Sequence, residues 1–598
     1  MTPPLDQFRS WAKDHGVTAK LVPKESKGMG TGLFVDLAQD ADHKDEHDQG
    51  ELLFVPHSLI LSRSRIQQLD CPHLQTAFKT IGQDNLTERL VLILFLLYER
   101  LALEHRECIL KHNSSKKSSP DTPPFTPSPF APYVAMLPDV CTPVTLDPGL
   151  TKGYLAGTLL LDSVCAKRAK LESEYELLSG NMGVFEPWPV RPSLDDFVWA
   201  DATYWSRVLS FGTQWEQTPD GQSPESMPVD DMHMVPYLDF ANHAGKANIR
   251  WEVDEDGLRV WAKESLLDSI HEDDQDPPKD QGQEVYLSYG NKSNTELLFL
   301  YGFTLHDNPT KVLTLAVPMD EDDPYYMPKA HTLMRLNIPP RISLHLDNDE
   351  SEDLVELCHG LWITKDSLCL LWIYSLNEED GLGALIEEPD LKVCTSDDSA
   401  NADKDADIEE ADLVDEDTVG RLVLTIQDTK VTSREIVETM IPKLDIYPIL
   451  VLRSLVLVAH RIEFYIARIM ETGDKVQKIE DIEIVRAINY DPSTSKEEGS
   501  IATPSKTIDI PVASRLRRNI GDCLLPTLLD PDREHPVTSR QLDVEMLISS
   551  LVSVMRSYRT EEMNLLVHIG NVVGEAQTRC LEENEHVKAY LSSMQAQD

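Results

Sequence analysis

The chain has 598 residues, of which 41% are hydrophobic, so it is long enough for more than one domain with an apolar core. It contains 55 Lys and Arg residues against 102 Asp and Glu residues, which gives a formal net charge of −47. Such an acidic surface repels phosphate backbones, so we expect no direct binding to nucleic acid. It would attract a basic partner such as a lysine-rich protein segment, and the alternative is a purely solubilising surface.

The cysteines and the apolar runs argue against several classes of protein. The 9 cysteines are scattered without a C-x-x-C pair, which argues against a metal site and for a reducing compartment. No basic-then-apolar signal opens the chain, and the longest apolar runs, 90–97 and 449–459, are too short to span a membrane. We therefore expect a soluble protein of the cytoplasm, the nucleus or both, with no membrane association.

The N-terminal segment predicts a short helix followed by strands. Phe8 and Trp11 stand at helical spacing, and a strand over 19–22 leads into the glycine-rich turn 28–32. The next strand is expected over 51–56, after an acidic loop at 40–48. Because no helix follows the glycines, the turn is not a dinucleotide or P-loop fingerprint, but it would let a ligand approach the backbone closely.

Helical periodicity replaces strand periodicity from about residue 65 to residue 227. Thr87 is the expected N-cap of a helix of about five turns, and 111–129 is a Ser/Pro/Lys-rich surface loop. Further helices are predicted over 167–178 and 197–211. The second of these carries Ser206 and Arg207, and an arginine on an exposed helix face is the alternative interpretation for Arg207.

The stretch 235–303 combines strands with polar side chains that need partners. Asp239 interrupts an apolar run and precedes the pair Asn242-His243, and a buried polar group is costly unless it is hydrogen-bonded. A hairpin is predicted over 249–262, and a strand over 285–287 leads to Tyr289 at a glycine turn. Taken alone, Asn242-His243 could also be a satisfied turn pair. Beyond this stretch, 326–375 and 432–598 have mainly helical periodicity, and the acidic, low-complexity stretch 387–417 is expected to be disordered.

The order of these motifs resembles a protein family. Asp-x-x-Asn-His over 239–243, followed by Tyr-Gly-x-x-Ser-Asn over 289–294, resembles the C-terminal half of a SET domain. The likeness is greatest to the branch typified by the plant Rubisco large-subunit lysine methyltransferase, and 17–64 resembles the opening of the same domain. The resemblance implies an α+β fold with short, pseudo-knotted strands over 1–305, a helical insert over about 65–227, and an all-α substrate-binding lobe over 306–598.

The resemblance also implies roles for individual residues. Tyr289 matches the catalytic tyrosine, which also contacts the cofactor S-adenosylmethionine. The other residues that match cofactor-binding positions are Met29, Gly30, Thr31, Arg207, Asn242 and His243. The residues that match substrate-binding positions are Ser206, Asp239 and Tyr301. The chain departs from the family at Ala244, where a serine is usual, and it lacks a cysteine cluster after Tyr289, as expected of the non-histone branch.

The activity that the resemblance implies is methyl transfer from S-adenosylmethionine to a lysine of a non-histone protein. A ribosomal or translation-associated target fits the acidic composition, since such proteins are basic. Two alternatives stay open: a histidine acceptor, and a catalytically inactive interaction protein that keeps the SET fold. The sequence leaves the oligomeric state open.

Overall fold

The computed structural model describes most of the chain, and it divides into two compact units. The described residues are 4–26, 30–36, 50–112, 125–139, 141–211, 231–264, 266, 282–347, 351, 353–386, 422–488 and 539–595. The first unit comprises Met1–Ala156, Leu160–Asn308 and Asp474–Tyr558, and the second comprises Gly157–Leu159, Pro309–Gly473 and Arg559–Asp598. The predicted domain boundary at 305/306 stays a prediction.

Two four-stranded sheets of short strands form the β part of the first unit. One sheet has the order β1-β4-β9-β8, and the other has the order β2-β3-β10-β7. The strands are β1 (Thr18–Ala19), β2 (Leu21–Ser26), β3 (Gly30–Val35), β4 (Glu51–Pro56), β7 (Asn242–His243), β8 (Ile249–Val253), β9 (Gly257–Ala262) and β10 (Glu284–Leu287). A separate pair consists of β5 (Leu209–Ser210) and β6 (Met232–His233).

Helices before, between and after these strands complete the first unit. They are α1 (Pro4–Asp14), α2 (Arg63–Gln67), α3 (Pro72–Ile81), α4 (Glu88–His112), α5 (Ala131–Val134), α6 (Pro148–Tyr154), α7 (Leu159–Glu176), α8 (Leu194–Arg207) and α9 (Asn294–Tyr301). Thr87 accepts a hydrogen bond from the backbone N–H of Leu90, as expected of the N-cap of α4. Phe8 and Trp11 of α1 are buried, which confirms the predicted docking helix.

The sheet β2-β3-β10-β7 has one apolar face and one polar face, because side chains alternate along a strand. Leu33, Val35 and Val285 are buried in the core of the unit. The neighbouring positions Gly32 and Glu284 therefore lie on the opposite face. Strand β10 is central to the sheet: it pairs antiparallel with β3 and parallel with β7. These pairings bring β3, β7 and β10 together, so that Gly32, Asn242 and Glu284 lie next to one another on this face.

The second unit requires a correction to the predicted all-α lobe. It contains a sheet of order β11-β12-β14-β13 and a smaller sheet of order β15-β16-β17. Its strands are β11 (Val312–Ala316), β12 (Arg341–His345), β13 (Leu354–Cys358), β14 (Leu361–Thr364), β15 (Leu382–Ile386), β16 (Leu422–Ile426) and β17 (Thr429–Lys430). Helical periodicity over 326–375 was misleading because short strands buried on one side, such as β12 and β14, carry too few residues to define a period.

Helices dominate the C-terminal part of the chain, as predicted. They are α10 (Tyr326–Arg335), α11 (Lys365–Ser375), α12 (Arg434–Met440), α13 (Tyr447–Ile488), α14 (Ser539–Glu583) and α15 (Glu585–Gln595). With the short strands of the first unit, they confirm the α+β class. Among the described residues, no helix combines the length and the apolar character needed to cross a bilayer. The acidic stretches 40–48, 267–281 and 387–417 lie outside the described residues.

Candidate active site

Parallel pairing of β7 with β10 brings the two polar motifs of the first unit together. Asn242 is opposite Tyr286, and His243 is opposite Leu287. The backbone N–H of Ala244 continues the pairing by donating to the carbonyl oxygen of Leu287. Tyr289 follows two residues after the end of β10, so the register places it directly beside His243.

The Tyr289 side chain is fixed by a backbone acceptor. Its hydroxyl donates to the carbonyl oxygen of Ala241 at 2.9 Å, and its backbone N–H donates to His243 Nδ1 at 3.1 Å. Burial raises the pKa of the Tyr289 phenol well above its usual value, so the hydroxyl stays protonated at physiological pH. Tyr289 can therefore act as an oriented dipole with free oxygen lone pairs, and not as a general base.

Aromatic rings surround the Tyr289 ring. The His243 ring centroid lies 5.0 Å from it and the Tyr301 centroid lies 4.7 Å from it. Phe303 lies 6.1 Å from Tyr301 and 6.2 Å from His243 between centroids. Burial lowers the pKa of His243, so this ring is neutral and the group presents π faces without a competing charge.

A helix C-terminus sets the direction of Tyr301 and Phe303. Ser293 and Glu296 form a capping box at the start of α9, and Gly302 ends the helix in the left-handed conformation, with φ of 82°. A Cβ atom on Gly302 would lie 2.0 Å from the carbonyl oxygen of Cys141. Glycine is thus required at 302 for its backbone conformation and for close packing.

Asp239 and Arg207 form a buried ion pair beside the aromatic group. Arg207 Nη1 donates to the Asp239 carbonyl oxygen at 2.7 Å and lies 3.5 Å from Asp239 Oδ2. Tyr133 donates its hydroxyl to the same Oδ2. The Asp239 side chain is fully buried, and burial raises its pKa to about 6 although Arg207 opposes the shift. Both charges also influence the pKa of Tyr289, whose hydroxyl donates to the carbonyl oxygen of Ala241, two residues after Asp239.

Two polar atoms of this ion pair have no hydrogen-bond partner among the described residues. They are Asp239 Oδ1, an acceptor, and Arg207 Nε, a donor, and both are buried. A buried polar group without a partner costs about 1–3 kcal/mol, so the pair is arranged to complete its bonding with something else. A ligand that carries both a carboxylate and an ammonium group would satisfy both atoms.

Backbone strain and aromatic packing hold Asp239 in place. Tyr237 has a φ of 79°, which is rare for a residue other than glycine, and it begins the short 3₁₀ turn Leu238–Phe240. Phe8 of α1 packs against Tyr237 and Phe240 with ring centroids 5.0 Å and 5.7 Å away. The N-terminal helix thus supports the turn that presents Asp239.

Asn242 is held by a carboxylate on the polar sheet face. Its Nδ2 donates to Glu284 Oε1 at 2.8 Å. Glu284 Oε2 accepts from the hydroxyls of Ser26 at 2.8 Å and Tyr286 at 2.9 Å. A Cβ atom on Gly32 would lie 2.3 Å from Glu284 Oε1, so the glycine leaves room for this cluster.

The structure describes three of the four remaining predicted site residues. Gly30 begins β3 with φ of 76° and has open space where a Cβ would be, and Thr31 follows it, half-buried. Met29 lies outside the described residues. Ser206 is adjacent to Arg207 at the end of α8, but its hydroxyl donates to the Thr203 carbonyl oxygen. The structure therefore brings together Tyr289, His243 and Tyr301, with Arg207 and Asp239 beside them.

Three contributors to the site were not identified as site residues from the sequence. Tyr133 contacts Asp239 across 106 positions, and Ser26 contacts Glu284 across 258 positions. Glu284 directly precedes the strand predicted over 285–287 and has no predicted role. Its alternation with Tyr286 on the face opposite Val285 was the one available signal, since a charged residue next to a buried valine marks a polar sheet face.

Curated relatives match parts of the chain. The chain is 30% identical over 198 residues to the SET domain-containing protein 8 of Schizosaccharomyces pombe, covering 32% of this chain and 38% of that protein. It is 29% identical over 146 residues to the ribosomal lysine N-methyltransferase set10 of the same yeast, covering 24% and 22%. With the pea Rubisco large-subunit N-methyltransferase it shares 24% identity over 338 residues, covering 54% and 56%.

These matches confirm the resemblance to SET-domain methyltransferases of the Rubisco-methyltransferase branch, and the chain spans from about a fifth to just over half of these relatives. No family model matches the chain. Among solved structures, the SET domain of the Rubisco methyltransferase bound to lysine and AdoHcy aligns with 98% of this chain and 95% of that chain, at 15% identity and a TM-score of 0.47. A structure of the same enzyme bound to AdoMet aligns with a TM-score of 0.46.

Proposed function

We propose that this protein is an S-adenosylmethionine-dependent protein-lysine N-methyltransferase. The observation that carries the proposal is the fixed Tyr289 hydroxyl, 2.9 Å from the Ala241 carbonyl oxygen and surrounded by aromatic rings. A hydroxyl and a carbonyl oxygen at one point can make C–H···O contacts to a polarised methyl group and orient an amine lone pair. Aromatic faces favour a cationic centre close to them.

The described residues fit the cofactor. Arg207 Nε, a donor without a partner in the described part of the chain, suits the carboxylate of its methionine end. Asn242 and His243 are the proposed contacts of its adenosine, with Gly30, Thr31 and Met29 along its methionine end. When bound, the cofactor supplies a sulfonium-linked methyl group. The protein's task is then to bring the acceptor amine into line with that group and to exclude water.

The acceptor proposed is a lysine of a basic, non-histone protein. An incoming ammonium group has a pKa of about 10.4 in water, and an apolar aromatic channel beside a cation would lower it, which favours the neutral amine. Tyr301 would line this channel, with Asp239 and Ser206 at its polar side. The net charge of −47 supports a basic substrate, and a ribosomal target is proposed because a relative is named a ribosomal lysine N-methyltransferase. Such a target is consistent with a cytoplasmic or nuclear location.

The test is Tyr289→Phe, assayed with labelled S-adenosylmethionine and a whole-cell extract that lacks the endogenous protein. We expect kcat to fall about 100-fold, because the methyl and the amine lose their shared anchor. Tyr175→Phe is the matched control: its hydroxyl also donates to a backbone carbonyl, that of Pro192 at 2.8 Å, but within the helical insert. Equal activity of wild type and Tyr289→Phe would contradict the assignment.

The same assay separates the alternative functions. Mass spectrometry of the labelled protein distinguishes a methylated lysine from a methylated histidine. If calorimetry shows that the wild type does not bind S-adenosylmethionine, the chain is an interaction protein that keeps the fold and lacks the activity.

A further inference from the structure

The cluster around Glu284 is not explained by packing alone. It places a carboxylate, an amide and two hydroxyls on the polar face of the sheet β2-β3-β10-β7. In the part of the chain that the structure describes, three side chains donate to the carboxylate: Ser26, Asn242 and Tyr286. Ser26 is almost completely buried, and burial together with the bond to Glu284 raises the pKa of Tyr286 to about 12. The two oxygens of Glu284 have separate tasks, because Oε1 faces Asn242 and Oε2 faces the two hydroxyls.

This arrangement determines which end of the Asn242 amide faces outward. A carboxylate has only acceptor sites, so the NH₂ group of Asn242 must point at Glu284 Oε1, and the bond length of 2.8 Å is that of a charge-assisted contact. The amide oxygen Oδ1 then points away from Glu284. Asn242 can therefore offer a ligand an acceptor, and a ligand group in hydrogen-bond reach of Oδ1 must be an N–H or O–H donor.

We propose that Glu284 is the positioning residue for Asn242, and that it makes this asparagine a pure acceptor toward the cofactor. The inference rests on the proposed function, since it concerns the same cofactor site. Glu284 does not touch the cofactor in this scheme. It acts through Asn242, and Ser26 and Tyr286 keep its carboxylate from rotating away.

Gly32 gives a second, independent way to test the contact between Glu284 and Asn242. An ideal Cβ at this position would lie 2.3 Å from Glu284 Oε1 and 2.9 Å from Asn242 Nδ2. A methyl group at 32 would thus separate the two side chains without changing either of them. Because Gly32 does not have a positive φ, alanine is compatible with the backbone there, and the effect of the substitution is confined to this contact.

The decisive experiment reverses the polarity that residue 242 shows to the ligand and then restores it. Glu284→Gln keeps the shape, and its oxygen is favoured at the position that accepts from Ser26 and Tyr286. Its NH₂ group then faces Asn242, so the asparagine amide rotates and shows the ligand its own NH₂ group. Asn242→Asp places two carboxylates against each other. In the double variant, the NH₂ group of the introduced glutamine can donate to the introduced aspartate, while the glutamine oxygen still accepts from Ser26 and Tyr286. An acceptor oxygen again faces the ligand.

We expect each single variant to bind S-adenosylmethionine about tenfold more weakly in calorimetry, and the double variant to return to within about threefold of wild type. Gly32→Ala should also weaken binding about tenfold. The matched control is Gly245→Ala, where a Cβ meets open space and φ is not positive. Thermal melting without cofactor, run on every variant, separates loss of binding from loss of folding.

The outcomes distinguish the inference from the function on which it rests. A wild type that does not bind the cofactor overturns both. A wild type that binds, together with Glu284→Gln of equal affinity, overturns only the role of Glu284. A double variant no better than the single variants would show that the cluster is structural, because restored polarity would then have no effect on affinity.

Discussion

Two buried ion-pair networks in the first unit differ in how completely they are satisfied. In the helical insert, Arg89 donates to both oxygens of Glu174, at 2.9 Å and 3.0 Å, and to Asp201 Oδ1 at 2.6 Å. Lys167 lies 2.7 Å from the other oxygen of Asp201. At the candidate site, the pair Arg207–Asp239 leaves one donor and one acceptor without partners among the described residues.

The difference shows what each network is for. A buried charge is tolerated when its hydrogen bonds are complete, and the insert network meets that condition with residues of α4, α7 and α8. The site pair does not, although Asp239 is as deeply buried as Asp201. An incomplete buried pair is a cost to the folded state that a bound ligand can remove. The insert network thus has the complete bonding of a structural element, and the site pair can still gain hydrogen bonds from a ligand.

The largest effect is expected from removing the centre of the complete network. Asp201→Ala leaves Arg89 and Lys167 buried without their shared partner, so the free energy of unfolding should fall by about 3–5 kcal/mol. Urea denaturation measures the loss. Glu252→Ala is the control, because its ion pair with Arg250 is exposed and contributes at most about 1 kcal/mol. Equal effects of the two variants would remove the distinction between the networks.

The second largest effect is expected in the pH dependence of the free energy of unfolding, through Asp239 of the incomplete pair. The pKa of Asp239 is raised from 3.8 to about 6 in the folded state. Between pH 3.8 and pH 6, the folded chain therefore keeps a proton on Asp239 that the unfolded chain has lost. Stability from this group is therefore complete below pH 3.8 and is lost as the pH rises to about 6, by roughly 3 kcal/mol at 1.36 kcal/mol per pKa unit. In Asp239→Asn this loss should be absent.

The measurement is the free energy of unfolding of wild type and Asp239→Asn between pH 4 and pH 8. Other carboxyl groups cancel in the difference between the two proteins, including Glu99, whose pKa burial raises to about 7. A difference that does not change across this range would show that Asp239 ionises as easily as in water.

The two networks also show how far the sequence could be interpreted. The strand 51–56, the hairpin 249–262 and the cap at Thr87 follow from local pattern, and the structure confirms them. The end of the helix predicted over 197–211 was wrong: α8 ends at Arg207, because Leu209–Ser210 pairs as strand β5 with β6. The roles assigned to Tyr289, Asn242 and His243 stay predictions, although their proximity agrees with the motif order. The confirmed strands and the helix cap each depend on residues close together in the chain.

Long-range partners were not predictable. Tyr133 meets Asp239, and Ser26 meets Glu284, only because the strands and the insert fold against one another, and no periodicity encodes such a pair. The strands of the second unit were missed for a related reason. Pairs such as β11 with β12 join residues some 30 positions apart, and five residues on one strand are too few to define a period in the sequence.

The third effect tests whether the incomplete pair binds a ligand. Asp239→Asn keeps the shape of the side chain but removes the charge opposite Arg207. We expect kcat/KM for methyl transfer to fall about tenfold at pH 8, which corresponds to about 1.4 kcal/mol, while the free energy of unfolding at this pH does not fall as it does in Asp201→Ala. Wild-type activity should also rise as the pH passes through about 6, where Asp239 ionises. A large loss of stability with unchanged kcat/KM would assign the pair to the structural class.

The smallest effect is expected at Ser206, next to Arg207. Its hydroxyl already donates to the Thr203 carbonyl oxygen, so only its lone pairs remain for a ligand. Ser206→Ala should change the free energy of unfolding by less than about 0.5 kcal/mol, as for a residue outside a buried network. If Ser206 contacts the substrate, KM for the protein substrate rises a few-fold and the affinity for the cofactor does not change. If neither constant changes, the predicted substrate contact is wrong, and the part of α8 prepared for a ligand is confined to Arg207.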